Sequence, residues 1–132
     1  MIVLDASAAA DVLLNLGPRA PRIRERMAES DGDLHVPHLF EVEVLSVLRS
    51  FSLRGELSQE RARLALGRLS AMRLTRYPHT ALLSRLWELR DNVTVYDAAY
   101  IALAETLDAP LVTTDARLAR APGIRAAVEV YG

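Results

Sequence analysis

The chain has 132 residues, 51% hydrophobic and 25% charged, with a formal net charge of −1. That is the length of one ordinary domain with a sizeable core, and the balance excludes both a disordered chain and a globally basic nucleic-acid binder. There is no cysteine and all 16 basic residues are arginine, which excludes disulfides, thiolate metal sites, cysteine nucleophiles and every lysine-dependent chemistry, Schiff bases and the P-loop included.

Short strands alternate with helices. Ile2 to Leu4 is an aliphatic strand, and Ser7 to Leu16 reads as a helix with Ala8, Val12 and Leu16 on one face. Gly17-Pro18 breaks it, Pro21 to Ser30 is a polar, arginine-rich helix, and Asp31-Gly32-Asp33 is a turn. Leu34 to Val36 is a second strand closed by Pro37. From His38 to Leu53, Phe40, Val44, Val47, Leu48 and Phe51 keep helical spacing. Ser58 caps the next helix, which runs to about Met72. Leu74 to Tyr77 is a short edge strand, His79 to Arg90 a helix, and Asp91-Asn92 a break. Val93 to Val95 leads into a helix over Tyr96 to Leu107. Pro110 to Thr113 is a strand, Asp115 opens a brief helix, and Ala127 to Tyr131 is the last strand. Such alternation implies right-handed crossovers and a parallel sheet covered on both faces. With no repeat or linker, one domain over residues 1–132 is expected. No apolar run approaches the ~20 residues of a membrane helix. Met1 to Asp5 lacks the basic start of a secretory signal, so a soluble cytoplasmic protein is expected.

Ligands of open parallel sheets bind beyond the carboxyl ends of the strands. Asp5, Asp97 and Asp115 all read as lying at strand-to-helix junctions there. Helix capping explains any one of them. It explains Asp97 least, because Asp97 shares a stripe with Tyr100, Ile101 and Ala104 and points partly inward, where an unpaired carboxylate is costly. A fourth acid lies in the helix after Pro37. Glu41 and Glu43 both flank its apolar face and geometry alone does not choose between them, though Glu43 shares a polar stripe with Ser46 and Ser50. Like charges ~4 Å apart cost a few kcal/mol at an effective dielectric of about 20, so an acid cluster calls for a cation. All-oxygen ligands suit Mg²⁺ or Mn²⁺. Zinc is disfavoured, since His35, His38 and His79 lack ligand spacing and read as structural.

These residues resemble a known family. Ile2-Val3-Leu4-Asp5-Ala6-Ser7, Pro37-His38-Leu39 followed by Glu43-Val44-Leu45-Ser46, Tyr96-Asp97-Ala98-Ala99-Tyr100-Ile101-Ala102-Leu103-Ala104-Glu105, and Leu111-Val112-Thr113-Thr114-Asp115 are similar, in order, to the four motifs of PIN-domain ribonucleases. Within that family the chain resembles the toxin subunits of VapBC-type toxin–antitoxin modules. The resemblance implies a three-layer α/β/α sandwich around a mostly parallel sheet of four to five short strands. It selects Glu43, six residues after the proline, over Glu41. It implies Asp5, Glu43, Asp97 and Asp115 as metal-binding acids, with Ser7 and Thr113 orienting Asp5, Asp115 or bound water. It further implies Mg²⁺- or Mn²⁺-dependent endoribonuclease action by a metal-activated water, leaving a 5′-phosphate and a 3′-hydroxyl.

An acidic site that takes RNA needs arginines around it. Arg117 and Arg120, just past Asp115, are the candidates for touching phosphate. Arg54, Arg61, Arg63, Arg68, Arg73 and Arg76 form either a solvated helix face or an RNA track. The resemblance also implies an inhibiting antitoxin seated in an apolar groove, for which the Pro21–Ser30 and Phe40–Leu53 helices, with Phe40, Phe51 and Leu53, are candidate walls. It implies a homodimer using residues between Tyr77 and Trp87, although Trp87 itself reads as core. Competing readings are a phosphoacceptor domain, excluded by the lack of lysine, and a dehalogenase-type phosphatase, which wants an Asp where Ser7 stands. A non-catalytic RNA- or protein-binding module is the remaining alternative.

Overall fold

The computed structural model describes residues 1–132. Five strands form one sheet: β1 (Ile2–Leu4), β2 (Leu34–Pro37), β3 (Leu74–Tyr77), β4 (Leu111–Thr113) and β5 (Val128–Val130). They lie in the order β3-β2-β1-β4-β5 and every neighbouring pair is parallel. Leu34, Val36, Ile2, Val3, Leu4, Leu111 and Val112 are buried on both faces, as a covered parallel sheet requires. The chain first moves outward from β1 to β2 and β3, then jumps back across them to β4 and β5. Right-handed crossovers therefore place α1 (Ala6–Leu14), α2 (Arg19–Glu29), α3 (Phe40–Leu53) and α4 (Gln59–Ala71) on one face. A 3₁₀ turn (Thr80–Leu82), α5 (Leu83–Glu88), α6 (Val95–Leu107) and α7 (Ala116–Arg120) take the other. The reversal falls between β1 and β4, which opens the crevice where ligands of such sheets bind. No helix is long and apolar enough to cross a membrane.

Several local expectations change. Helix α1 is buried nearly all round, with Ala9, Ala10, Leu13 and Leu14 deeper than Val12 and Leu16, because α2, α3 and α4 wrap the side that the sheet leaves free. The 79–90 segment is not one helix. No side chain caps its start, and the first turn tightens to a 3₁₀ bond from the Leu82 amide to the His79 carbonyl. Residues Val93 to Val95 form no strand. The Asn92 and Val93 amides turn back onto the Leu89 carbonyl, and Thr94 caps α6 by accepting the Asp97 amide on its hydroxyl. Asp97 therefore sits in a first helical turn that follows a bend, not a strand. Trp87 is not core: it is 65% exposed, on the outer side of the short α5, where the sheet is already covered by α6.

Candidate active site

Asp5 stands at the end of β1, one residue before α1, and only 7% of it is exposed. It occupies the N-cap position but makes no side-chain cap bond. Its Oδ2 instead accepts the Thr113 hydroxyl at 2.6 Å and the Ser7 hydroxyl at 2.8 Å. Thr113 comes from the end of β4, so these bonds tie the two strands that flank the crevice. The same hydroxyls also accept backbone donors, Asp115 N on Thr113 and Thr114 N on Ser7, which fixes the chain that carries Asp115. Burial pushes the Asp5 carboxyl above its ordinary value, and the two hydroxyl bonds only partly offset this.

Asp97 and Glu43 face the same place from α6 and α3. Both are half-buried. Burial raises both carboxyls, and the Asp5 charge raises each further. Asp97 and Glu43 also repel each other, so the three acids share one field. No basic side chain forms an ion pair with any of them. Tyr100, one turn beyond Asp97, is fully buried, and its hydroxyl lies beside the Glu43 carboxyl. It counted only as an apolar stripe residue in the sequence. A phenol three positions after an inward-facing acid was the available signal.

Asp115 differs. Its Oδ1 caps α7 by accepting the Arg117 amide at 2.9 Å, and its two oxygens take the Arg117 guanidinium, the shortest contact being 2.6 Å. Those bonds hold its carboxyl below the ordinary range. Capping is thus correct for Asp115 and for neither Asp5 nor Asp97. Arg117, expected on phosphate, rests on Asp115. Arg120 forms no ion pair. Glu41 lies apart, paired with Arg76 at 2.6 Å.

No three acidic or histidine side chains converge on one point as a ready-made metal cage. The donor set nonetheless fits a hard divalent cation. It is all oxygen, burial raises the carboxyls of three of its acids, and none of the three is in an ion pair, the Arg117 charge acting on Asp97 only from a distance. The histidines take no part. His35 bridges Asp33 and Tyr77 at 2.7 Å each, and His79 accepts the Leu39 amide.

The apolar groove of the helical face has α2 as a wall, as expected, but not α3. It holds about 620 Å3 between α1, α2 and α4, lined by Ala9, Val12, Leu13, Met27 and Met72. Phe40 is fully buried beneath α3, and Phe51 packs on the core.

A parallel sheet with acids gathered at its switch point defines a class of α/β proteins that work on ligands at that edge. The PIN domain model matches residues 2–124, and the chain belongs to the PIN-domain family. It is similar to ribonuclease VapC1 of Mycobacterium tuberculosis, 46% identical over 123 residues, which cover 92% of this chain and 91% of that one. Ribonuclease VapC9 of the same organism is 46% identical over 118 residues, covering 89% and 88%. Among solved structures, VapBC2 from Rickettsia felis, bound to a DNA fragment from its promoter, superposes with a TM-score of 0.70 at 15% identity over the whole of both chains.

Proposed function

We infer that the chain is an endoribonuclease, the toxin of a toxin–antitoxin pair, working as a single PIN domain over residues 1–132. The observation that carries this reading is the cluster of acids Asp5, Glu43 and Asp97 at the β1/β4 crevice, none of them in an ion pair, in a chain 46% identical to VapC ribonucleases. Asp5, Glu43, Asp97 and Asp115 would hold Mg²⁺ or Mn²⁺. Such an ion supplies polarisation of the phosphodiester and activation of water at neutral pH. The chain's own part is positional. Ser7 and Thr113 fix the Asp5 carboxylate through its Oδ2. The same hydroxyls hold the backbone leading to Asp115. Arg117 offsets the Asp115 charge, and Arg117 and Arg120, on the short helix that follows Asp115, would meet the RNA phosphates.

A VapB-type antitoxin is the partner, and the groove between α1, α2 and α4 is apolar with Arg24 and Arg68 in its lining, which suits an amphipathic segment with acidic residues. A homodimer and a cytoplasmic setting complete the reading. Purified chain, free of antitoxin, is tested on structured and single-stranded RNAs with Mg²⁺, Mn²⁺ or EDTA, beside Asp5→Asn. Cleavage that needs metal and vanishes in the variant is expected. RNA binding by folded protein without cleavage under any metal would make the chain a non-catalytic binding module instead.

A further inference from the structure

The acids of the crevice differ in what holds them. Asp5 is fixed by the Ser7 and Thr113 hydroxyls, and Asp115 by the Arg117 amide and guanidinium. Glu43 is the one glutamate of the set, so its carboxylate swings on the longest side chain. It forms no ion pair, Arg76 going to Glu41 instead. The only donor beside its carboxylate is the Tyr100 hydroxyl.

Helix geometry brings that hydroxyl to the site. Tyr100 follows Asp97 by one turn of α6, so the two side chains share a face. Long side chains of a helix lean toward its N-terminus, and the N-terminus of α6 stands at the acid edge. The phenol is therefore carried back toward the crevice. It is fully buried, with Glu43 beside it and the Ala6 amide, at the start of α1, facing its oxygen. No other acceptor takes its proton. Packing does not account for the hydroxyl. A phenylalanine ring fills the same space, and a buried hydroxyl costs free energy unless it is hydrogen-bonded. A phenol keeps its proton at neutral pH, its ordinary pKa being about 10, so beside a carboxylate it is the donor.

We propose that Tyr100 is a positioning residue: its hydroxyl donates to the Glu43 carboxylate and holds it toward Asp5 and Asp97, so that a divalent ion meets a ligand already aimed. Tyr100 thus does for Glu43 what Ser7 and Thr113 do for Asp5, without being a ligand itself. The role depends on the metal-dependent ribonuclease reading above.

Tyr100→Phe deletes the hydroxyl and keeps the ring. Titration calorimetry with Mn²⁺ alone compares the parent, Tyr100→Phe, Glu43→Gln and the double variant. Tyr100→Phe is expected to weaken Mn²⁺ about tenfold, within the ~10–100-fold range of groups that orient metal ligands, with circular dichroism unchanged. In the Glu43→Gln background the same change should cost little further affinity, because its route to the ion is gone. Combined with Thr113→Val, which acts on Asp5, the two losses should multiply. A merely structural tyrosine would lower affinity alike in every background. A second readout leaves Tyr100 in place. Glu43→Gln should shift the near-ultraviolet tyrosine absorbance of metal-free protein, since the phenol loses a charged acceptor, and should cause no such shift in the Tyr100→Phe background. Unchanged Mn²⁺ affinity in folded Tyr100→Phe overturns the role, as does an equal loss in the Glu43→Gln background or an unshifted absorbance. In those three cases metal-dependent cleavage by the parent keeps the ribonuclease reading. A parent that neither binds Mn²⁺ nor cleaves RNA overturns both.

Discussion

Two carboxylates of this molecule are withdrawn from solvent and meet opposite company. Glu105, on α6, is embraced by Arg85 at 2.8 and 3.1 Å and by the Arg125 amide at 2.6 Å. Burial alone pushes its carboxyl up, yet these bonds together hold it below the ordinary value. Arg85 also binds the Gly123 carbonyl, so the pair ties α5, α6 and the loop before β5. Asp5 is buried more deeply and receives only two neutral hydroxyls. Its carboxyl ends above the ordinary value. One charge is balanced inside the chain and serves packing. The other is left for a cation from outside, and that is the physical difference between a structural and a functional acid.

Mutating the two acids should therefore move stability in opposite directions. Asp5→Asn is expected to lower RNA cleavage by more than ~100-fold, beyond the ~10–100-fold typical of groups that only support a ligand, with circular dichroism unchanged. In metal-free protein the same change should raise Tm, because it removes a carboxylate that burial disfavours and that repels Glu43 and Asp97. A fall in Tm would mean that Asp5 is a structural group like Glu105. Glu105→Gln should cost about 2–3 kcal/mol in urea unfolding, somewhat under the ~3–5 of a fully buried pair, since Arg85 keeps part of its hydration. Its effect on cleavage at low denaturant should be minor.

Smaller effects sharpen the contrast. Thr113→Val deletes the 2.6 Å bond to Asp5 and the acceptor for the Asp115 amide. Mn²⁺ affinity measured by calorimetry should fall about tenfold with little change in Tm. The pH dependence has a definite sign. Asp5, Glu43 and Asp97 have folded pKa values above their ordinary 3.8, 4.5 and 3.8. The folded state then binds more protons than the unfolded one, so their contribution to stability falls as pH rises through that window. Saturating divalent ion should flatten this fall, and the Tm gain of metal-free Asp5→Asn should shrink as pH drops toward 3.8. Glu105 and Asp115 act in the other sense, their stabilisation being lost on acidification. Glu41→Gln removes a partly exposed pair with Arg76; it should change stability by under ~1 kcal/mol and leave cleavage intact.

Much of this was legible in the residues. The strand–helix alternation, the turn at Asp31-Gly32 and the Ser58 cap follow from local chemistry, and all have counterparts in the fold. The chain order of Asp5, Asp97 and Asp115 suggested one sheet edge, while the choice of Glu43 over Glu41 needed the family resemblance. The misreadings share a cause. Trp87 is apolar enough for any core, and only the prior coverage of the sheet by α6 leaves it outside. Phe40 and Phe51 looked like groove walls because a helical stripe reports that a face is covered, not by what.

Sequence by itself determined the fold class, the family and the inventory of acids, because strand periodicity, turn chemistry and motif order are properties of neighbouring residues. Tertiary structure alone decided which acid is neutralised and which is left charged. Arg117 reaches Asp115 across two residues, but the hydroxyl that holds Asp5 comes from Thr113 on another strand, and the tyrosine beside Glu43 from another helix. Partners so far apart in the chain meet only when the β1/β4 switch point forms, and a carboxylate's charge state follows its partners.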